Sequence, residues 1–274
     1  MSYRDILVHL ESDERSNARR DAAIAIARTF AAGLTGVYGE SDPHVMNYAT
    51  RDPAAALGPV AREIEAAFRQ RAAEAEVTAR WVALMTVNDT ELVKRLLFAA
   101  LHTDLVVLGQ YRPGEARASI PPDLVTQIAL NGGRPVLCIP SVGHFESIGR
   151  RVMVAWNVSR EATRAVHDAL PFLRRAEQVR LVAVNPDFSR EAYGEAPFAS
   201  IERHLAAHAV APQCESLWVE DGDLTDRLLS RIADESIDLL VMGAHGHYGF
   251  PFLQRGDTTR EILGSMTVPV LLSH

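Results

Sequence analysis

The chain repeats itself. Residues 104–109 read DLVVLG, and residues 238–243 read DLLVMG, 134 positions later. RPVLCI at 134–139 and VPVLLS at 268–273 are separated by the same 134. Near the start of each copy, ILVHL at 6–10 answers VMVAW at 152–156, now at an offset of 146. The second copy is thus 12 residues shorter between its first and fourth apolar runs. A long connecting segment absorbs such a deletion at small entropic cost. Two copies of a domain-sized unit fit 274 residues at about 150 residues per domain.

Within each copy, short apolar runs alternate with amphipathic stretches. The predicted strands are 5–10, 34–39, 78–84, 104–109 and 135–140, then 152–156, 178–185, 215–220, 238–243 and 268–273. They are near-continuous Val, Ile and Leu, which suits a parallel sheet buried on both faces. Helical periodicity fills 16–31, 59–75, 88–101, 160–173 and 223–235. In 160–173, Ala162, Val166, Ala169, Leu170 and Leu173 follow i, i+4, i+7, i+8, i+11 spacing. An Asn or Asp opens 88–101 and 223–235 as an N-cap. Residues 40–58 hold two prolines and no period and read as a loop; 141–150 read as a linker. The predicted fold is α/β: two tandem, doubly wound, five-stranded parallel-sheet domains of Rossmann-like type, at 1–143 and 150–274. The last strands, RPVLCIP and VPVLLSH, are expected to meet, making the chain an intramolecular pseudo-dimer and covering two sheet edges.

Composition removes several function classes. The formal net charge is −7, and the parts before and after residue 145 carry −2 (15 basic against 17 acidic) and −5 (13 against 18). Neither is basic, so no nucleic-acid partner is expected. Cys138 and Cys214 support neither a disulfide framework nor a thiolate zinc site. MSYRDILVHLESDERS has no signal-peptide core, and runs such as LLFAAL at 96–101 are far below the roughly 20 residues of a membrane span. A cytoplasmic protein with no membrane partner is the expectation.

In such sheets ligands bind beyond the carboxyl ends of strands. Three segments of the second copy fall there: Asn157-Val158-Ser159, Gly243-Ala244-His245-Gly246 and Gly256-Asp257-Thr258-Thr259. The glycines are spaced G-x2-G-x9-G. Glycine admits close backbone approach and positive φ, and successive N–H groups form an anion nest. A helix opening near Asp257 adds its dipole, which favours phosphate, and Thr258 offers a hydroxyl. Thr258 with Glu261 also fits a capping box. The P-loop pattern is absent, and Lys94 is the single lysine. His204 and His208 stand i, i+4 on a predicted helix, a spacing that can bind zinc, but the sequence identifies no third ligand.

VMGAHGHYGFPFLQRGDTTREILGSMTVPVLL at 241–272 and VMVAWNVSREATRAVHDAL at 152–170 resemble the universal stress protein family, and YRDILVHLESDERSNARRDAAIAIARTFAAGLTGVY at 3–38 is similar to its opening. The resemblance covers nearly the whole chain as two domains. It implies an adenine-nucleotide pocket for ATP or a relative, with or without Mg²⁺, in the second domain. Carried over, the pocket comprises Ala155, Trp156, Asn157 (where an Asp is usual), Val184, Gly243, His245, Gly246, Gly256, Asp257 and Thr258. Val184 is expected to offer backbone groups to adenine. Asp257 stands where the family has Ser or Thr; its charge repels phosphate, so either Mg²⁺ bridges the two, or Asp257 turns away, or phosphate binds weakly, with Thr258 as the next hydroxyl. The first copy departs further: Glu11 takes the place of the Asp, Arg112 replaces the second glycine, and Ile120-Pro121-Pro122-Asp123 covers the third. Its site is expected to be degenerate.

The implied function is a stress-response or signalling role through nucleotide binding, with at most slow metal-dependent hydrolysis and no assigned catalytic residue. The alternative is a member that binds no nucleotide and acts through partners or another small ligand; a homo-oligomer is compatible with both. Adenylation ranks last, since neither ESDERS nor NVSREA supplies a pyrophosphate loop.

Overall fold

Runs of Val, Ile and Leu fold as strands here because branched side chains pack well on a pleated surface covered from both sides. The computed structural model describes residues 2–40, 53–85, 88–113, 120–145, 147–185, 198–219, 224–244 and 256–274. The chain divides into two compact units, Ser2–Glu146 and Ser147–His274. The first contains β1 (Asp5–Leu10), α1 (Arg15–Phe30), β2 (Gly33–Glu40), α2 (Pro53–Glu74), β3 (Ala79–Met85), α3 (Asp89–Ala100), β4 (Leu105–Gly109), α4 (Leu124–Asn131) and β5 (Val136–Ile139). The second contains β6 (Arg151–Ala155), α5 (Arg160–Leu173), β7 (Gln178–Val184), α6 (Ala199–Ala207), β8 (Gln213–Leu217), α7 (Leu224–Asp234), β9 (Leu239–Gly243), α8 (Gly256–Ser265) and β10 (Val270–Ser273).

Strand order in the first unit is β3-β2-β1-β4-β5, and in the second β8-β7-β6-β9-β10; the pairings within each are parallel. The α/β, doubly wound architecture expected from the alternation of strand and helix is thus present in each unit. Pairing register follows the internal repeat. Ile6 pairs with Leu105, and Val152 with Leu239. Val106 pairs with Val136, and Leu240 with Val270. Nearly all of the missing residues fall between β7 and β8, where α6 has 9 residues against 22 in α2.

The central strands are the core. Ile6, Val8, Leu105 and Val107 in the first unit, and Val152, Val154, Leu239 and Val241 in the second, are fully buried. Helices cover them through apolar faces; on α5 these are Ala162, Ala165, Val166, Ala169 and Leu170. Asn88 caps α3, its side chain accepting from Glu91 N at 2.9 Å. Ser159 caps α5, accepting from Ala162 N at 3.1 Å. Each replaces a hydrogen bond that the first helical turn cannot make for itself.

Three local expectations change. Helix α2 begins at Pro53, not near residue 59. Proline suits a first helical position, and the following Ala-rich run has strong helix propensity, so the helix extends through Pro59. The rest of the expected loop, 41–52, lies outside the described residues. Strand β8 runs Gln213–Leu217, two to three residues before the expected 215–220. The capping box at Thr258 is not formed: Thr258 lies within α8, and Glu261 accepts from Thr225 Oγ1 at 2.7 Å.

Candidate functional site

Order reverses in the second unit at β6, which has β7 on one side and β9 on the other. The carboxyl ends of these strands are where a doubly wound sheet leaves a crevice. Three of the predicted residues end β6 or follow it. Ala155 is half-buried, Trp156 is 9% exposed, and Asn157 is exposed. Trp156 N–H donates to the Val182 carbonyl at 2.8 Å, so its backbone still belongs to the sheet. Its burial makes it a packing residue, not an open stacking surface.

Asn157 is held locally. Ser159 Oγ donates to Asn157 Oδ1 at 2.6 Å while accepting from the helix N–H of Ala162. Val158 between them has φ of 55°, left-handed backbone that a β-branched residue adopts only at an energetic cost. The turn therefore presents Asn157 in one fixed attitude.

Val184 ends β7. Carbonyls and N–H groups alternate sides along a strand. The Val182 carbonyl faces β6, where it accepts from Trp156, and Asn185 N–H faces β8, where it donates to Leu217 O at 2.8 Å. Val184 therefore turns its N–H and C=O toward β6, one step past the point where β6 ends. Among the described residues neither group has a hydrogen-bond partner. Asn185, with φ of 44°, locks this end of β7 to the β8 side: its Nδ2 donates to Val219 O and its Oδ1 accepts from Val219 N, both at 2.8 Å.

Gly243 ends β9 for a packing reason. A Cβ there would lie 2.7 Å from the carbonyl carbon and Cβ of Glu161 and 2.8 Å from Ala162 N. The first turn of α5 occupies that space. Beyond it, Ala244 N–H donates to Ser273 O at 2.7 Å. His274 Nδ1 is 3.0 Å from the Ala244 carbonyl, and Arg160 Nη2 is 3.0 Å from His274 Nε2. An arginine only donates and a carbonyl only accepts, so His274 carries its proton on Nδ1. Arg160 and His274 thus tie the end of β9 to the start of α5. Sequence reasoning missed both, and Asn185, because their partners are 30 to 114 positions away.

Strands β9 and β10 are parallel neighbours, so α8 between them starts on the carboxyl side of the sheet. Gly256, Asp257 and Thr258 are its first residues; Thr258 is half-buried and Thr259 buried. His245 and Gly246 lie outside the described residues, as does the Asp257 side chain. The fold therefore brings Ala155, Trp156, Asn157, Val184 and Gly243 to the ends of three adjacent strands, with the N-terminus of α8 on the same edge of the sheet.

The corresponding place in the first unit is filled by side chains. Glu11 and Arg19 are each 3% exposed and pair at 2.9 Å. Arg19 Nε also donates to the His9 carbonyl at 2.7 Å. A Cβ on Gly109 would fall 1.7 Å from Arg19 Nη1 and 2.8 Å from Ile120 Cδ1. His9, fully buried, contacts Gly39 O through Nε2 at 2.7 Å, and its Nδ1 stands 3.7 Å from Glu11 Oε2. Burial holds the His9 pKa below its ordinary value, against the raising effect of Glu11. Arg112 is exposed, and the Pro121 carbonyl accepts from Leu124 N at 3.1 Å. Cys138 is buried on β5, and burial pushes its thiol up to about 12, as befits a small apolar filler.

Residues 149–274 match the Universal stress protein family. None of the curated proteins matches the chain in sequence. Among solved structures, a universal stress protein from Archaeoglobus fulgidus DSM 4304 is similar, with a TM-score of 0.76 and 14% identity, covering 98% of this chain and 97% of that one. A functionally unknown protein from Pseudomonas aeruginosa PAO1 is also similar, with a TM-score of 0.60 and 17% identity, covering 99% of this chain and 92% of that one. Among the described residues no helix is long and apolar enough to cross a membrane.

Proposed function

We propose that this chain, whose residues 149–274 are a universal stress protein domain, acts in stress response by binding ATP or a related adenine nucleotide in its second unit. The observation that carries this reading is the open backbone edge of Val184. A single residue there offers one donor and one acceptor side by side, matching the donor–acceptor edge of adenine. It lies next to the strand-order reversal, where the fold leaves a crevice. Asn157 fits a ribose hydroxyl contact, since its amide both donates and accepts. The N-terminus of α8 supplies the phosphate end through backbone N–H groups and not a lysine, with Gly246 assigned to the same end from the sequence motif. Asp257 either shares a divalent cation such as Mg²⁺ with the phosphates, or turns away from them, or leaves them weakly bound. The first unit does not bind nucleotide, because the Arg19–Glu11 pair occupies the equivalent place. We read the two units as a tandem duplication in which one site has lapsed, acting in the cytoplasm.

A second reading has its own support. Gly243 is required by the packing of α5, and Asn157 Oδ1 is already used by Ser159. Both would be retained in a protein that binds no nucleotide and works through partners. Denaturing the purified protein and analysing the released small molecules separates the two. Co-purified adenine nucleotide, or a rise in thermal midpoint with millimolar Mg·ATP, supports the first reading. Neither effect, in a folded sample, supports the second.

A further inference from the structure

The fold supplies what the sequence could not: a third histidine beside His204 and His208. His167 stands on α5, one turn before its buried Leu170–Leu173 end, and faces the last turn of α6. The ring of His167 lies 5.9 Å from that of His204 and 5.9 Å from that of His208, centre to centre, and those two are 4.8 Å apart. One ligand nitrogen from each lies within 4.8 Å of the others. We propose that His167, His204 and His208 form a binding site for a borderline divalent transition metal, with zinc as the reference ion.

The chemistry favours this class of ion. Three imidazoles with no carboxylate among them suit zinc, nickel or copper and not magnesium or calcium, which take oxygen ligands. At a Zn–N distance of about 2.0–2.1 Å, tetrahedral ligand atoms stand roughly 3.3 Å apart. The histidines must therefore close by roughly 1.5 Å from 4.8 Å. His167 and His204 are exposed and His208 is half-buried, so their rings have room to turn toward one another about χ1 and χ2. Three protein ligands leave the fourth position to water or an incoming group. Among the described residues Arg174 competes for His208: its Nη2 donates to His208 Nδ1 at 2.9 Å and its Nε to the His208 carbonyl at 3.2 Å. Arg174 is exposed, so a metal can displace it from Nδ1. A bound ion would staple α5 to α6. The site uses none of the residues assigned to nucleotide, and it stands or falls independently of that assignment.

The test is a calorimetric titration of the full chain, stripped of metal with a chelator, using zinc chloride. One equivalent of zinc should bind per chain with a dissociation constant in the micromolar range or tighter. His167→Gln, His204→Gln and His208→Gln should each weaken binding by more than the about 10- to 100-fold that loss of an outer-shell contact costs. His144→Gln, a change at an exposed histidine of the linker, should leave it unchanged. Cobalt(II) in place of zinc should show visible d–d absorption without a thiolate charge-transfer band, excluding Cys138 and Cys214 as ligands. Absence of saturable zinc binding, wild-type affinity in any of the three histidine variants, or a thiolate band would overturn the assignment.

Discussion

Arg19 and Gly109 form one unit at the residue scale. The guanidinium is buried against Glu11 and the His9 carbonyl, and it lies where any side chain at position 109 would have to go. Removing one member of a buried ion pair leaves the other uncompensated, which costs about 3–5 kcal/mol. Arg19→Met should destabilise the first unit by that order in urea unfolding, and adding Glu11→Gln should restore most of it. Wild-type stability in the single variant would show that the pair is not structural. Gly243 is a stricter case, because its neighbours are backbone and cannot swing aside. Gly243→Ala should cost about 1–3 kcal/mol by overpacking. Gly264→Ala, in α8 with open space around its Cβ position, should instead stabilise by about 0.5–1 kcal/mol.

His9 adds a pH dependence. Its pKa in the folded protein is below 6.5, so as pH falls from 6.5 toward that lowered value the unfolded chain takes up a proton that the folded chain refuses. Stability is full above pH 6.5 and declines below it, by up to about 1.4 kcal/mol per pH unit for one proton. His9→Gln keeps a donor for Gly39 O and should flatten the profile between pH 7.5 and 5.5. An unchanged slope in that variant would place the acid sensitivity elsewhere.

At the scale of elements, caps and periodicity decide what was legible. Asn88 and the 160–173 stripe announced α3 and α5 because those signals are local and the structure uses them as written. Pro59 misled, since a proline reads as a helix start while the Ala-rich stretch before it already favours helix. The capping box at Thr258 misled for a different reason: Glu261 found a better partner on α7. The His167 ligand, the Arg160–His274 tie and the Arg19 plug were illegible, because each depends on which helix faces which strand end. Of the proposed nucleotide site, the strand ends were readable from position along the chain. That Val184 offers backbone groups to adenine was an expectation of family resemblance; the unpaired edge that would let it do so comes only from the point at which β6 stops. Ser159 offers a test at this scale. Ser159→Ala removes the α5 cap and the Asn157 contact together, and should cost about 0.5–2 kcal/mol. It should weaken nucleotide binding beyond that of an Asn88→Ala control, which removes a cap in the other unit at similar cost.

The whole molecule uses one topology twice to different ends. Both units keep the same strand order and pair equivalent residues of their repeated strands although the connecting segments differ in length, so the core tolerates divergence at the strand ends. In one unit an arginine, a glutamate and a histidine close the crevice with their own charges and hydrogen bonds. In the other, the backbone groups of Val184 have no hydrogen-bond partner among the described residues, beside an exposed asparagine. A ligand that binds only the folded second unit must stabilise it by mass action, by about 2.7 kcal/mol at 100 times its dissociation constant.

Calorimetric titration of the intact chain with ATP and Mg²⁺ probes that asymmetry directly. A single site per chain is predicted, lost in Gly246→Val and retained in Arg19→Met. Silence at millimolar nucleotide, or a site that survives Gly246→Val, would contradict an adenosine pocket in the second unit.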